Sequence, residues 1–245
     1  MDKTAYAALT EQEEEHWWFV ARRKILARLI ESCNLPQTEV ATILEAGCGS
    51  GGNLKLLRQY GQLFAFELNE PSRQMASKKT DAKILYGALP DELPFLDQKF
   101  DLIVLLDVLE HIEDDKQSLI ELSKLLNPNG KILITVPAMQ WLWSKHDVNH
   151  HHYRRYTKSS LQEVAKSADL LVVSNNYFNF ILFPLAVIKR FSDRWMNREN
   201  ESVEKTPPKI INRVFCLLFG LERHIVTRVS MPVGLSLCMV LSKES

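Results

Sequence analysis

The sequence lacks several features that define large classes of protein. Its 245 residues include only four cysteines, and these form no CxxC pair: Cys33, Cys48, Cys216 and Cys238. That spacing argues against a zinc ribbon or a disulfide framework and is typical of a reducing compartment. No apolar run approaches the ~20 residues that a membrane-spanning helix needs. The longest candidate, FILFPLAVI at 180–188, is interrupted by Pro184.

The chain also lacks an excess of charge of either sign. Thirty Lys and Arg balance thirty Asp and Glu, so no overall field favours nucleic acid, and we expect no nucleic-acid partner. The first residues, MDKTAYAALTEQEEEH, are acidic and have no apolar segment, which argues against a secretory signal. We therefore expect a cytoplasmic protein, with peripheral contact at the inner face of the membrane as an open alternative. The oligomeric state stays open.

What the sequence does contain is a regular alternation of strand and helix patterns. The run FDLIVLLD is wholly apolar, as expected for a strand buried on both faces of a parallel sheet. Alternation of this kind predicts an α/β fold with a doubly wound, Rossmann-like sheet. Strands are predicted at 42–47, 63–68, 83–87, 100–107, 131–137, 170–178 and 234–243, and helices at 11–34, 53–60, 71–80, 114–130 and 159–168.

We predict a single domain, 1–245, with four parts. These are an N-terminal helical cap (1–40), a cofactor-binding core (41–177), a helical insertion (178–228) and a closing strand (229–245). The insertion has nine Lys or Arg against five Asp or Glu, and a polar link, NRENESVEKTPPK, divides it. A helical pair that covers one edge and closes the substrate pocket is the favoured interpretation. A membrane-docking surface and a dimer contact are the alternatives.

The turn EAGCGSGG at 45–52 lies between a predicted strand and helix. Gly47, Gly49 and Gly52 match GxGxxG, a weak signal alone. Glycines let a ligand approach the backbone, and the helix start offers N–H donors to an anionic group. Glu67 follows Gly47 by twenty residues at the end of the second strand, where a carboxylate can accept hydrogen bonds from a ribose diol. Together these features predict a nucleoside cofactor, either a dinucleotide or S-adenosylmethionine.

The order of further motifs distinguishes these two cofactors. ILEAGCGSGGN, FELN, FDLIVLLDVLEHI and LLNPNGKILITVP, spread over about residues 40 to 140, resemble the class I S-adenosylmethionine-dependent methyltransferases. The resemblance implies a seven-stranded sheet with its last strand antiparallel. It also implies S-adenosyl-L-methionine as cofactor and S-adenosyl-L-homocysteine as product. The cofactor-binding residues that it implies are Glu45, Gly47, Cys48, Gly49, Gly51, Asn53, Glu67, Leu68, Ala88, Leu89 and Asp107.

The resemblance also implies separate roles for these residues. Gly47, Gly49 and Gly51 would line the methionine part of the cofactor. Glu67 would hold the ribose hydroxyls, Leu68 would lie beside the adenine, and Asp107 would lie near the amino group. The family commonly has an acid at position 88, where this chain has Ala88. The adenine contact would then fall to backbone amides and apolar atoms near Ala88 and Leu89, or to Asp91 or Glu92.

The stretch HDVNHHHYRRYT at 146–157 contains four of the seven histidines and follows the fifth strand. Ligands bind beyond the carboxyl ends of parallel strands, so this stretch should border the pocket. Consecutive histidines diverge on most backbones, and we assign no metal site here. A nucleic-acid patch is disfavoured by the zero net charge. A solvated loop remains open for His150 and His151.

The longer segment WLWSKHDVNHHHYRRYT, together with HWWF and the arginine pair Arg22 and Arg23, resembles one methyltransferase branch. That branch is often linked to bacterial cell-surface saccharide and lipid synthesis, and it has Gly where this chain has His151. An oxygen acceptor benefits from a general base, and arginines can clamp a phosphate or carboxylate. The candidate catalytic residues are His146, Asp147, His152 and His111. The candidate substrate-binding residues are Trp17, Arg154, Arg155 and Tyr156.

These features predict a bacterial methyltransferase for a small-molecule or lipid-linked acceptor. The expected reaction is O-methylation in saccharide or polyprenyl/quinone-type biosynthesis. Two alternatives remain: a catalytically silent cofactor-binding partner subunit, and a nicotinamide-dependent reductase. The silent subunit would bind the cofactor and transfer nothing. The reductase would be stabilised by NADH rather than by S-adenosylhomocysteine.

Overall fold

A computed structural model describes residues 13–37, 39–195 and 206–244 of the protein. It contains a seven-stranded sheet in the order β3-β2-β1-β4-β5-β7-β6. The strands are β1 (Thr42–Ala46), β2 (Gln62–Phe66), β3 (Lys83–Leu85), β4 (Phe100–Leu106), β5 (Leu126–Pro137), β6 (Leu170–Phe178) and β7 (Ser236–Lys243). β1 to β5 are parallel, and β7 runs antiparallel between β5 and β6. The predicted fold, with its antiparallel last strand, is confirmed.

Helices connect the strands on both sides of the sheet. They are α1 (Trp17–Glu31), α2 (Leu54–Leu57), α3 (Glu70–Ser77), α4 (Asp115–Lys124), α5 (Lys145–Asn149), α6 (Lys158–Ser167), α7 (Phe183–Trp195) and α8 (Lys209–Gly220). The long strand β4 is buried almost throughout, as its apolar sequence predicts. Neighbouring residues of a strand point to opposite faces, so Ile43 and Leu44 enter separate core clusters. One cluster packs under α4 and α6, and the other under α1, α2 and α8.

Several predicted boundaries differ from the structure. The first helix begins at Trp17 because the side chain of His16 accepts a hydrogen bond from the Trp18 N–H and caps the helix there. Residues 11 and 12 of the predicted helix lie outside the described residues, as does most of the polar link. The prediction that the fourth helix continues to a Pro-Asn-Gly turn is wrong. α4 ends at Lys124, and 126–130 already belong to β5, whose register against β4 shifts at this point.

The segment between β6 and β7 contains the helices α7 and α8. α8 packs on α1 through an edge-to-face contact between Phe215 and Trp17, whose ring centroids are 5.4 Å apart. The side chain of Asn212 accepts a hydrogen bond from the Trp17 N–H (2.8 Å). None of the helices within the described residues is long and apolar enough to cross a membrane.

Candidate active site

The glycine turn after β1 and the ends of β2 and β4 form one wall of a large open cleft. The cleft has a volume of about 1490 Å³ and lies beyond the carboxyl ends of the parallel strands, as predicted. Gly47 and Gly49 line it and adopt left-handed conformations, with φ of +73° and +55°. A Cβ at Gly49 would meet no atom within 4 Å, so the backbone there faces open space that a ligand could fill.

Glu67 closes this turn from the end of β2. Its two carboxylate oxygens accept hydrogen bonds from the N–H groups of Gly49 and Asn69, each at 2.8 Å. These bonds fix the carboxylate at the cleft wall, and each oxygen keeps a further lone pair for a ligand hydroxyl. Leu68, which is 58% exposed, follows it along the same wall and offers an apolar surface to a flat ring.

Asp107 lies in the cleft wall at the end of β4, where its φ is +61°. A buried arginine of α1 holds it: the guanidinium of Arg22 lies 2.7 Å from the Asp107 carboxylate and donates to the Thr135 hydroxyl at 2.8 Å. Arg22 belongs to the arginine pair that follows HWWF, and its contact with Asp107 could not be predicted from the sequence. The structure shows that it joins the N-terminal helix to the cleft wall.

Most other predicted cofactor-binding residues either have their backbone N–H already bonded or lie outside the cleft lining. Ala88 and Leu89 line the cleft, but the Ala88 N–H is bonded to the Glu92 carbonyl and is therefore not free for a ligand. Gly51 faces the protein interior, where a Cβ would come within 2.7 Å of Leu54. Three further residues lie beneath the turn and outside the cleft lining: Glu45, Cys48 and Asn53.

Burial shifts the pKa values of two side chains below the glycine turn, Glu45 and Cys48. Glu45 accepts a hydrogen bond from the Asn53 amide, and its second oxygen has no partner among the described residues. Burial raises the pKa of Glu45 to about 8, so this carboxyl is largely protonated at neutral pH. Burial also raises the pKa of the Cys48 thiol, which is therefore unreactive.

The opposite wall of the cleft is the histidine-arginine stretch. His150, His151, His152 and Tyr153 line it, together with His111 from the loop after β4. His151 has a φ of +57°, so the position at which the related branch has glycine keeps the left-handed conformation that favours glycine. His146 is not among the lining residues, and its ring is tilted by 43° against that of His150, with ring centroids 4.1 Å apart.

Asp147 organises this wall although it is fully buried. Its carboxylate accepts from the Arg155 guanidinium at 2.7 and 3.0 Å, from the Ser144 N–H at 2.8 Å, and lies 3.0 Å from Nδ1 of His152. Burial alone would raise the pKa of Asp147, but these hydrogen bonds outweigh it and hold the pKa below its usual range. Asp147 is therefore an ionised anchor, and the ring of His152 is oriented with Nε2 left for other contacts.

The predicted substrate-binding residues make contacts within the protein instead of lining the cleft. Arg154 and Tyr156 both bind the Asp115 carboxylate, at 2.8 Å each. Arg155 is paired with Asp147, and none of the three lines the cleft. Trp17 packs against α8, away from the cleft lining. Side chains that already neutralise a carboxylate offer no free clamp for an acceptor phosphate.

Comparison with known proteins agrees with this geometry. The family model described as a methyltransferase domain matches residues 18–175, and the chain belongs to this family. A probable S-adenosylmethionine-dependent methyltransferase of Mycolicibacterium smegmatis is 27% identical over 159 residues, which cover 63% of this chain and 60% of that protein. A ubiquinone biosynthesis O-methyltransferase of Coxiella burnetii is 23% identical over 194 residues, covering 69% and 82%.

The match covers only 47% of two probable S-adenosylmethionine-dependent methyltransferases of Mycobacterium tuberculosis, so the chain spans about half the length of some curated relatives. Among solved structures, one described as a complex of the Haloferax volcanii Trm112 methyltransferase activator with a putative methyltransferase is similar in fold. Its TM-score is 0.63 at 20% identity, and the match covers 99% of this chain and 96% of that one.

Family membership gives S-adenosylmethionine as the cofactor. The residues present fit it, because the open glycine turn, the fixed Glu67 carboxylate and the exposed Leu68 lie along one wall.

Proposed function

We propose that the protein transfers a methyl group from S-adenosylmethionine to an oxygen of an acceptor bound in the cleft. The observation that carries this proposal is the ring of His152. It lines the same cleft as Gly49 and Glu67, and a buried carboxylate fixes its orientation. We call the side of the cleft formed by Gly47, Gly49, Glu67, Leu68 and Asp107 the cofactor wall. An aligned methyl transfer requires a bound cofactor on one side of the cleft and an oriented acceptor group on the other.

The cofactor wall supplies binding and alignment. Glu67 holds the ribose hydroxyls, Leu68 and Leu89 flank the adenine, and Gly47 and Gly49 leave room for the methionine part. Asp107, oriented by Arg22, receives the cofactor's amino group. When bound, S-adenosylmethionine supplies an activated methyl group on a positively charged sulfur. The residues of this chain orient it.

The histidine wall activates the acceptor. Asp147 holds Nδ1 of His152, so the other ring nitrogen is the one that can draw the hydroxyl proton away. His111 packs edge-to-face on His152, with ring centroids 4.6 Å apart, and narrows the space around this nitrogen. His146 lies outside the cleft lining, and Asp147 acts as a positioning residue.

The acceptor itself is a larger molecule with an apolar part. Ile112, Trp143, Val148 and Tyr153 line the cleft beyond the cofactor wall and offer apolar surface. The Coxiella burnetii relative is named for ubiquinone biosynthesis, which supports a polyprenyl or quinone-type acceptor and O-methylation. A saccharide acceptor carried on a lipid fits the same cleft.

We also propose that the insertion docks on an anionic membrane. The outward faces of α7 and α8 and the 3₁₀ turn that follows α8 expose large apolar side chains: Leu185, Ile188, Phe191, Ile210, Val214, Leu217 and Leu221. Lys209, Arg213 and Arg223 lie among them and complement a negatively charged surface. None of the described residues of these helices lines the cleft, which disfavours the alternative of a pocket lid.

The first test of the reaction is transfer from methyl-labelled cofactor to membrane extract, followed by organic extraction. Label in the lipid phase is expected, and His152→Ala should abolish it while cofactor affinity stays unchanged. His224→Ala, an exposed histidine away from the cleft, is the matched control. Cofactor binding without any transfer, by wild type as well as by His152→Ala, would favour the catalytically silent subunit.

Docking is tested separately by sedimentation with vesicles that contain anionic lipid. Leu217→Ser and Ile210→Ser should weaken binding, whereas Val173→Ser should not, because Val173 is similarly exposed (55%) but lies on β6. Equal binding by all three variants would show that the insertion is not the docking surface.

A further inference from the structure

Two loops of the cleft bring three metal-ligating side chains together. Glu110 and His111 lie in the short 3₁₀ turn Leu109–His111 after β4, and His152 lies more than forty residues later in the histidine stretch. Each offers one ligand atom, and these atoms lie within 4.8 Å of one another. Two imidazoles and one carboxylate are a donor set for a borderline divalent ion such as zinc.

The surroundings of this cluster orient its members. Nδ1 of His152 is bonded to the Asp147 carboxylate, which leaves Nε2 as the ligand atom. The ring of His111 packs edge-to-face on that of His152, with ring centroids 4.6 Å apart. The Tyr153 N–H donates to the Glu110 carbonyl at 2.7 Å and ties the two loops together. A ligating histidine whose second ring nitrogen is held by a carboxylate or a carbonyl is the usual arrangement around protein-bound metal ions.

The buried side chain of Glu110 gives an independent indication of a cation-binding site. Its side chain is only 1% exposed, and its Oε2 has no hydrogen-bond partner among the described residues. A buried carboxylate oxygen without a partner is costly, and such an atom requires an explanation. Arg155, a nearby cation, is already bound to Asp147. An ion between Glu110 and the two rings would satisfy this oxygen.

We propose that Glu110, His111 and His152 bind one zinc-type divalent ion at the acceptor wall of the cleft. His111 and His152 line the cleft, so the remaining coordination positions face it. An open position can take the acceptor oxygen and lower the pKa of its hydroxyl, and the released proton passes to water. This role rests on the proposed methyl transfer; with the ion bound, Nε2 of His152 is a ligand, and the ion rather than the ring activates the acceptor hydroxyl. Binding of the ion does not depend on that function.

The test uses the full chain, without a histidine tag and freed of metal by a chelator. Cobalt(II) chloride serves as a spectroscopic probe and zinc chloride as a competitor. We expect one equivalent of cobalt to bind and to show the visible absorption that is typical of cobalt(II) with a low coordination number. Glu110→Gln, His111→Ala and His152→Ala should each weaken binding by about tenfold or more. His146→Ala is the matched control, because His146 belongs to the same stretch but not to the cluster.

The outcomes separate this inference from the proposed function. If His146→Ala weakens binding as much as His152→Ala, the exposed histidines hold the ion and the proposed site is wrong. If wild type binds no ion at micromolar concentration but His152→Ala abolishes methyl transfer, the site is again wrong and the ring itself takes the proton. If the ion binds as expected and no acceptor is methylated, the site stands and the proposed function fails.

Discussion

Replacement of Glu67 by glutamine tests the cofactor wall most directly. The substitution preserves size and keeps one carbonyl acceptor, but it removes the charge and sets an NH₂ group where the other oxygen accepts a backbone N–H. A hydrogen bond to a charged group contributes about 1.5–3 kcal/mol. Since about 1.4 kcal/mol is tenfold in affinity, the dissociation constant for S-adenosylhomocysteine should rise about 10- to 150-fold.

Isothermal titration calorimetry with S-adenosylhomocysteine measures this change, and thermal unfolding without ligand checks the fold. Both N–H donors lie at the open cleft, where water can replace the lost acceptor, so unfolding should shift little. Asp81→Asn is the control, because Asp81 is an exposed carboxylate that pairs with Arg58, away from the cleft. An unchanged affinity in a folded Glu67→Gln variant would remove Glu67 from the cofactor site.

Four further predictions concern stability. In the native protein, burial raises the pKa of Glu45 to about 8, whereas in the unfolded chain this carboxyl ionises near pH 4.5. The free energy of unfolding therefore falls as the pH rises between these two values. Glu45→Gln should remove this pH dependence and raise the free energy of unfolding in urea by about 3 kcal/mol at pH 7. Gly51→Ala should cost about 2–4 kcal/mol through its interior contacts at φ +87°. Gly49→Ala should cost only about 1 kcal/mol but weaken cofactor binding. His151→Gly should stabilise by about 1 kcal/mol, since φ is +57°.

Each of these has a clear contrary result. An unchanged pH slope in Glu45→Gln would mean that the carboxyl is ionised in the native state. Equal destabilisation by the two glycine substitutions would contradict the interior placement of Gly51 and the open space at Gly49. A destabilised His151→Gly variant would show that the imidazole contributes more than its strained backbone costs.

The sequence predicted the sheet and the glycine turn after β1 because both depend on local signals. The apolar run of β4 and the glycine turn are each confined to a few neighbouring residues. It did not predict that Gly51 faces the interior, because adjacent glycines in a turn carry the same sequence signal. Nor did it predict the meeting of His111 with His152, which depends on the loops after β4 and β5 coming together in space. Consecutive histidines diverge, as expected, but the cluster needs only one of them, His152, because His111 comes from another loop.

The density of polar residues in the histidine-arginine stretch is mostly structural. Arg154 and Tyr156 fasten the segment to Asp115 at the start of α4, and Arg155 neutralises Asp147 in the interior. A loop that must hold a histidine against open solvent needs such anchors, because an unanchored side chain would lose the orientation that catalysis requires. The many titratable groups therefore leave His152 as the ring that is both fixed by a buried carboxylate and open to the cleft. In the proposed mechanism, the chemistry of the stretch depends on this one ring, and the arginines act by keeping it in place.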